Sequence, residues 1–398
     1  NTPKTADFLS GTLCVQDIKD EVRRMSSPPE ASPTTPRLKS VDVFRGATIA
    51  AMVLVNGQFS REESYPQLAH AAWNGWTFAD TIFPSFLFIM GVSLTLSTAS
   101  RLARGEDHIR LIGHAVRRSL LLFACGVAVD YLRVPAHDFL FFDFQPHLQL
   151  TGVLQKIAIC YLLAFHIYLW TALRGVVIGI IGLNVLYLAL LYLYPVPGCG
   201  PGLLTVGCNF PGYLDEIVLD GFRSNSTFDP DGLGTVLSAV TSVLFGVLAG
   251  RILLTAWSPW HHLLQLLGGG LVLIAAAALL SAWVPINKQL WTTSFVTLMA
   301  GLAATGLACS IWLVDEGLLR RWYRPLEIFG SNAVAAYIIS RLVAHLPRVH
   351  IMGKSLYSDV LTPVASHPNA SLLFAMVVLA EVYLVLWFID RQGWHLKL

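Results

Sequence analysis

A histidine and an aspartate that could perform acid–base or acyl-transfer chemistry stand ten residues apart, at His70 and Asp80. His70 lies in a short polar connection between two long apolar runs, and Asp80 lies where the second run begins. An imidazole can exchange protons near neutral pH, or it can act as a nucleophile toward an acyl group. A carboxylate beside it can orient the ring and stabilise its cationic form. The pair is therefore a candidate catalytic site.

Two simpler interpretations of these residues remain open. A single histidine in a loop is often a solvated surface residue. Thr77 and Asp80 have the T-x-x-D spacing before an apolar run that is typical of a helix N-terminus, so Asp80 could act only as a cap. Between the histidine and the aspartate, residues 73–76 read WNGW, an amphipathic cluster of the kind that settles at a bilayer interface. The pattern thus indicates chemistry at a membrane surface without excluding the simpler roles.

The composition indicates which class of protein must position these groups. The chain has 398 residues, of which 55% are hydrophobic and 13% are charged. A soluble domain carries roughly 25% charged residues, so about half that density over a whole chain means that most of it lies in lipid. The net charge of +2 gives no indication of nucleic-acid binding.

An apolar run of about 20 residues is long enough to cross a bilayer as a helix. By this measure we expect an all-α polytopic membrane protein with about ten transmembrane helices in residues 37–398, preceded by a flexible cytosolic tail over 1–36. The predicted spans are 41–59, 77–100, 114–133, 151–172, 175–194, 232–255, 263–283, 290–314, 325–345 and 371–389.

The distribution of lysine and arginine predicts the orientation. These residues are concentrated in the tail and in one alternating set of connections, which includes a basic loop at 101–118, and they are sparse in the other set. Because basic connections favour the cytosol, we expect both termini there and His70 on the lumenal or extracellular side. The basic loop could bind lipid head groups or an anionic cofactor.

The connection 195–231, on the predicted far side, carries further signals of that location. It contains Cys199 and Cys208 in a Gly/Pro-rich stretch, and disulfides persist in oxidising compartments, so we predict a disulfide, with two free thiols as the alternative. Sequons at Asn225 and Asn369 predict glycosylation in far-side loops. The other cysteines have no metal-ligand spacing, and we predict no metal site.

Several polar residues lie at predicted span ends. Arg45, Arg117 and Arg118 flank spans on the cytosolic side, where guanidinium groups could bind phosphate oxygens bidentately. They could equally be ordinary cytosolic anchors, and Asp42 lies one helical turn from Arg45 and could simply pair with it.

On the opposite side, Asn56 ends the first span and would face the loop that carries His70. Asn287 and Trp291 lie at the same interface, next to Lys288, and Asn74 belongs to the WNGW cluster. Polar groups in or near lipid are costly and tend to be functional, although an interhelical hydrogen bond is the simpler reading for such residues.

Seven segments occur in order from about Arg37 to the C-terminus: RLKSVDVFRG, MVLVNG, HAAWNGWTFADTIFPSFLFIMG, GVLQKIAICY, FDPDGLGTVLSA, GVLAGRIL and PINKQLWTTSF. Together they resemble the heparan-α-glucosaminide N-acetyltransferase family, the transmembrane acetyltransferases of lysosomes and their bacterial relatives linked to N-acetylglucosamine use. Two features depart from the lysosomal enzyme. It has a lumenal domain and a further span before the first motif, where this chain has a short polar tail. The segment QFSREESYPQLAH is also less glycine-rich and less aromatic here, so we expect a different acceptor pocket.

The resemblance implies transfer of an acetyl group from cytosolic acetyl-CoA to an amino sugar across the membrane. It implies that His70 is the catalytic residue, that Asn56 and Asp80 match active-site positions, and that the protein forms a homodimer. On this basis we expect the coenzyme at Arg45, Arg117, Arg118, Ser119 and Gln155, and the acceptor at Asn74, Asn287 and Trp291.

We expect His70 to act as the general base or as the acetyl carrier, and Asn56 or Asn287 to donate to the oxyanion. The alternatives are a transporter of an amino sugar or small solute without chemistry, and a receptor or scaffold in which His70 is incidental. We expect a multi-pass protein of a lysosome- or vacuole-like endomembrane in a eukaryote, or of the plasma or inner membrane otherwise.

Overall fold

The computed structural model describes residues 38–60, 62–131, 150–219, 228–256, 258–315, 317, 323–343 and 356–394. Regular structure in these ranges is helical, which confirms the all-α prediction for them. The helices are α1 Lys39–Asn56, α2 Phe78–Ala103, α3 His108–Tyr131, α4 Val153–Trp170, α5 Leu173–Leu193, α6 Phe210–Val218, α7 Val236–Leu253, α8 Pro259–Leu280, α9 Thr293–Val314, α10 Arg324–Ser331, α11 Ala333–Val343 and α12 His367–Arg391. Short 3-10 turns occupy Pro66–Leu68 and Leu233–Thr235, and a π-helical turn occupies Leu356–Leu361.

Eight helices of the described chain are long and apolar enough to cross a membrane. They are α2, α3, α4, α5, α7 with its preceding 3-10 turn, α8, α9 and α12. They correspond to eight of the ten predicted spans, so the prediction of a polytopic membrane protein is confirmed. The first predicted span is α1, which is 18 residues long and carries Lys39, Asp42 and Arg45 in its first two turns.

The ninth predicted span is wrong as a continuous helix, because the chain breaks at Asn332 between α10 and α11. The Asn332 amide donates to Ile328 O at 3.2 Å and to Ser331 Oγ at 3.2 Å, so its side chain competes for local backbone groups. The next helix then begins with Ala336 N donating to Asn332 O at 2.8 Å. Because the segment is mostly apolar, its composition did not indicate that one polar side chain interrupts the helix.

The predicted basic loop at 101–118 is also wrong in its second half, because α3 already begins at His108. Asp107 Oδ1 accepts from Arg110 N at 2.8 Å, which is the bond of a helix N-cap. Arg117 and Arg118 therefore lie on a helix, two to three turns from its start.

The chain folds as two compact units. In the first, which comprises Met90–Ala128 and Val134–Leu266 after the N-terminal tail, α7 packs against α4 and α5. In the second, which comprises Leu38–Ile89, Val129–Arg133 and Leu267–Leu398, α1 packs against α9, α10, α11 and α12. His70, Asp80 and the segment before α9 all belong to the second unit.

Glycines allow α1 and α10 to approach each other closely in the second unit. A methyl group at Gly46 would lie 1.7 Å from Leu326 O, and one at Gly330 would lie 1.9 Å from Asp42 O. Only a residue without a side chain fits at either position. The close approach holds the first half of α1 against α10.

Candidate active site

The loop between α1 and α2 carries His70, and side chains from the end of the chain hold it in place. Phe59 N donates to Ser371 Oγ at 3.1 Å, and Ser371 in turn donates to Gln58 Oε1 at 3.0 Å. The Phe59 ring stacks on Tyr357, with 3.7 Å between the ring centroids. Tyr357 also donates to Glu63 Oε2 at 2.7 Å. Burial raises the pKa of Tyr357 to about 12, and Glu63 adds to the shift, so this phenol stays protonated as a donor.

The structure brings His70 and Asp80 into direct contact. Their side chains meet at His70 Nδ1 and Asp80 Oδ1, 2.8 Å apart. The aspartate side chain is fully buried, whereas 42% of the imidazole is exposed. The Nδ1 edge of the ring is thus fixed by a carboxylate while part of the side chain is accessible, which is the arrangement required of an imidazole that acts on a substrate.

The same carboxylate also caps the helix. Asp80 Oδ2 accepts from Thr77 N at 3.0 Å, from Thr77 Oγ1 at 3.1 Å and from Ala71 N at 3.1 Å. The capping interpretation and the orienting interpretation of Asp80 are therefore both consistent with the geometry, each through a different oxygen. The Ala71 bond also fixes the backbone directly after His70.

A third charged group, Lys288, was not among the residues assigned to the site from the sequence. Its Nζ lies 3.2 Å from Asp80 Oδ1 and 2.9 Å from His70 Nδ1, and 14% of its side chain is exposed. Lys288 is separated from His70 by 218 residues of sequence. The available signal was its place in PINKQLWTTSF, on the side of the membrane where basic residues are predicted to be sparse.

The segment 285–292 that carries Lys288 is held by its own hydrogen bonds. Asn287 Oδ1 accepts from Leu290 N at 2.8 Å, and Thr292 Oγ1 donates to Pro285 O at 2.8 Å. Trp291 has a left-handed backbone with a φ of 52°, a strained conformation for a bulky residue. It is 1% exposed, so contact with an acceptor at Trp291 stays a prediction, whereas its packing role is visible.

Asn74 and Asn287, both predicted to bind the acceptor, contact each other. Asn287 Nδ2 donates to Asn74 Oδ1 at 3.0 Å, and Gly75 N donates to Ile286 O at 2.8 Å. Gly75 has a φ of 96°, which favours glycine at this turn. Asn287 is fully buried, so we interpret it as the brace of this segment, and Asn74 is exposed. Asn56 is the exposed last residue of α1.

The residues predicted to bind the coenzyme fall in both units. In the second unit, Arg45 donates to Asp42 Oδ1 at 3.1 Å and to Gly330 O at 3.3 Å, so the simple pairing with Asp42 does form. In the first unit, Arg117 is exposed and Arg118 lies 5.0 Å from the centroid of the Tyr161 ring.

Two neighbouring polar atoms on α3 are buried without a hydrogen-bond partner in the described chain. They are Arg118 Nε and Ser119 Oγ. Gln155 on α4 is 2% exposed and faces Gly126 of α3, where a methyl group would lie 2.4 Å from its Oε1. Buried donors of this kind fit a phosphate or another anionic group.

The predicted disulfide is confirmed, since Cys199 and Cys208 are bonded and their Cα atoms lie 5.8 Å apart. The sequon at Asn225 lies outside the described residues. Asn369 is exposed in the first turn of α12, where its Oδ1 accepts from Tyr65 OH at 2.5 Å, and its glycosylation stays a prediction.

Comparison with known proteins bears on the same residues. A family model described as the catalytic part of heparan-alpha-glucosaminide N-acetyltransferase matches residues 37–196, a range that includes Asn56, His70 and Asp80. The curated heparan-alpha-glucosaminide N-acetyltransferases of Mus musculus and Homo sapiens are 31% and 30% identical to this chain over 398 and 397 residues. This chain belongs to that family. The alignments with these N-acetyltransferases cover 85% of the chain and 56% of each relative, so the chain spans about half the length of the curated relatives it matches.

Proposed function

We propose that this member of the heparan-α-glucosaminide N-acetyltransferase family transfers an acetyl group from acetyl-CoA to the amino group of a glucosamine-type sugar. The observation that carries the proposal is the half-exposed imidazole of His70 fixed on the buried carboxylate of Asp80. This geometry suits a histidine that handles a proton or an acyl group, and the names of the relatives supply the reaction class.

The direct route uses His70 as a general base. The imidazole Nδ1 faces Asp80, so Nε2 is the nitrogen left to receive a proton. As the amine attacks the thioester, a C–N bond forms, the amine proton passes to Nε2, and the tetrahedral carbon carries an oxyanion. The C–S bond then breaks and the departing CoA thiolate takes up a proton. We assign the oxyanion donor to Asn56, because the Asn287 amide is already engaged with Asn74.

The second route forms acetyl-His70 first. Nε2 attacks the thioester, the C–S bond breaks, and CoA leaves as a thiolate that takes up a proton from solvent. The acceptor amine then attacks the acetyl carbon, the C–Nε2 bond breaks, and the amine proton passes to the released imidazole. Initial-rate kinetics separate the two routes. Double-reciprocal plots are parallel and radioactive acetyl-CoA labels the protein if the carrier forms, whereas intersecting lines without label identify the direct route.

For the coenzyme, we propose Arg118 and Ser119 of α3 as phosphate contacts, with Gln155 and the exposed Arg117 of the same unit as further candidates. The buried Nε and Oγ that have no partner in the described residues support this assignment. Arg45 already donates to Asp42 and Gly330, so it would have to share its guanidinium to bind a phosphate.

A transporter of an amino sugar is the second candidate, because the break at Asn332 makes α10 and α11 a discontinuous helix pair. Interrupted helices are a feature of secondary transporters. A transporter needs a closed membrane to show its activity, whereas an acetyltransferase does not.

The test is therefore made on purified protein in detergent. The protein is mixed with radiolabelled acetyl-CoA and glucosamine, and the radiolabelled sugar product is measured. The matched control reaction contains N-acetylglucosamine in place of glucosamine, so the acceptor has no free amine. We expect product only with the free amine. Absence of product, together with uptake of glucosamine by proteoliposomes, would replace the acetyltransferase by the transporter.

We also propose that His70 faces the lumenal or extracellular side, with both termini in the cytosol, and that the protein acts as a homodimer in a lysosome-like or plasma membrane. The Cys199–Cys208 disulfide supports an oxidising compartment for the connection that contains it. Labelling of a cysteine introduced at exposed Gln67 in intact vesicles tests the side, and light scattering in detergent tests the dimer.

A further inference from the structure

We propose that Lys288 is a positioning residue that keeps His70 as a neutral imidazole, by offsetting the charge of Asp80 at the ring. This role deepens the proposed acetyl transfer and rests on it for its biological meaning. The protonation state itself is a property of the cluster and can be measured without turnover.

Three polar atoms meet at one edge of the ring. Asp80 Oδ1 lies 2.8 Å from His70 Nδ1 and 3.2 Å from Lys288 Nζ, and Nζ lies 2.9 Å from Nδ1. The ammonium can donate to the carboxylate in a charge-assisted bond. The carboxylate and the ammonium thus both contact the ring at Nδ1, and Nε2 is the nitrogen that neither of them contacts.

The charges around the ring disfavour the cation. Two charged groups from two elements face the imidazole in the described chain: Asp80 at the start of α2 and Lys288 from the segment before α9. A carboxylate alone would stabilise an imidazolium. The ammonium balances that carboxylate and would lie 2.9 Å from the cationic ring, and a like charge so close opposes protonation. A neutral imidazole is the form that can accept a proton from the amine or attack a thioester.

The residues around Lys288 hold it next to the His70 ring. The residue before it, Asn287, is braced by Leu290 N and by Asn74, and Gly75 N bonds to Ile286 O. Asn74 and Gly75 follow His70 by only a few residues, so these hydrogen bonds tie the loop with His70 to the segment with Lys288. The strained backbone of Trp291 in the same segment is a conformation that persists only where surrounding contacts impose it.

The experiment is a pH titration of ring-¹⁵N-labelled histidine in the purified protein in lipid nanodiscs, with the His70 signals identified by their loss in His70→Gln. The compared proteins are wild type, Lys288→Met, which removes the charge at similar length, and Lys288→Arg, which keeps it. Lys39→Met, at an exposed lysine beside Tyr323, is the control for removal of a positive charge elsewhere.

In wild type at pH 7 we expect a neutral ring. In Lys288→Met the midpoint of ring protonation rises by about one pH unit or more, while Lys288→Arg and Lys39→Met follow wild type. The acid limb of kcat/KM for acetyl transfer moves by the same amount, which a purely structural lysine would not cause.

A wild-type ring that is cationic at pH 7, or equal midpoints in wild type and Lys288→Met, would overturn the role of Lys288. The wild-type measurement alone keeps the inference testable if Lys288→Met does not fold. If the wild-type protein does not acetylate glucosamine, the proposed function is wrong. The titration would still test the effect of Lys288 on the protonation of His70.

Discussion

At the scale of single residues, Asp80 is the group on which most of the site depends. Its two oxygens receive His70, Lys288, Ala71 and Thr77, so one buried carboxylate fixes the ring, the lysine and the first turn of α2. We predict that Asp80→Asn lowers kcat/KM for acetyl transfer by about 10³- to 10⁴-fold, because the amide no longer holds the imidazole in the reactive tautomer. Steady-state kinetics with acetyl-CoA and glucosamine measure this loss.

The control is Asp107→Asn, at the exposed carboxylate that caps α3 through Arg110 N. Asparagine is also a good cap, so we expect this variant to keep wild-type kinetics. If both variants lose the same fraction of activity, Asp80 acts as a cap and not on the histidine.

Arg118 provides the second prediction at this scale. Arg118→Ala should weaken CoA binding by at least about tenfold, because the guanidinium would otherwise form charge-assisted bonds to a phosphate. Calorimetric titration with CoA measures the affinity. Arg110→Ala removes a charge from an exposed position of the same helix and is expected to bind CoA like wild type. An unchanged affinity in Arg118→Ala would remove this residue from the coenzyme site.

The sequence could indicate some of these residues and not others. His70, Asp80 and Asn74 stand close together in one motif, and the T-x-x-D spacing already placed Asp80 at a helix start. Lys288 could not be assigned, because no local pattern shows that a lysine 218 residues away meets the imidazole. Asn287 was identified as important, but its burial and its bond to Asn74 give it a bracing role that composition does not reveal.

At the scale of elements, Gly46 and Gly330 hold the first half of α1 close to α10. We predict that Gly330→Ala lowers the free energy of unfolding by about 3 kcal/mol or more, because its methyl group would lie 1.9 Å from Asp42 O. Thermal unfolding in detergent measures the loss.

Gly113→Ala is the matched control, because a methyl group there has no neighbour within 4 Å on exposed α3. Alanine favours a helix over glycine by up to about 1 kcal/mol, so this variant should be neutral or slightly stabilised. A Gly330→Ala protein as stable as Gly113→Ala would contradict the close packing of α1 and α10.

A buried acid within α6 predicts a pH dependence. Asp215 accepts from Gly234 N at 2.8 Å, and burial raises its pKa to about 6, with the nearby Asp229 carboxylate adding to the shift. The unfolded value is near 4, so the folded state binds this proton more tightly between these values. The stabilising contribution is therefore complete below about pH 4 and is lost as the pH rises through 6.

Asp215→Asn removes this titration. We predict that the variant gains stability relative to wild type by on the order of 2 kcal/mol as the pH rises from 4 to 7. Thermal unfolding of both proteins across this range measures the difference, since groups common to both cancel. A difference that stays constant with pH would contradict the raised pKa.

Element positions were predictable where apolar length alone decides them, as in α2, α5 and α9. The start of α3 and the continuous ninth span were predicted wrongly because single polar side chains bond to the local backbone. Asp107 caps α3 earlier than the hydrophobic run begins, and the Asn332 side chain interrupts what reads as one apolar span. Hydropathy averages over a window and does not resolve a single side chain that bonds to the backbone.

At the scale of the whole molecule, the eight candidate spans of the described chain and the family match indicate a polytopic membrane protein of the heparan-alpha-glucosaminide N-acetyltransferase family. The composition already indicated the membrane, because 13% charged residues cannot cover a soluble protein of this length. What composition could not provide was the meeting of the loop after α1, the start of α2 and the segment before α9 around one imidazole.

The central claim, that His70 carries the acetyl transfer, is tested most directly by the initial rate of glucosamine acetylation in His70→Ala. The same samples are heated with and without CoA, and His261→Ala, at an exposed histidine bonded to Ser258, is the matched control. We predict that His70→Ala falls to the background rate while CoA still raises its unfolding temperature as in wild type, and that His261→Ala remains active. A His70→Ala protein that keeps most of the wild-type rate would contradict the claim.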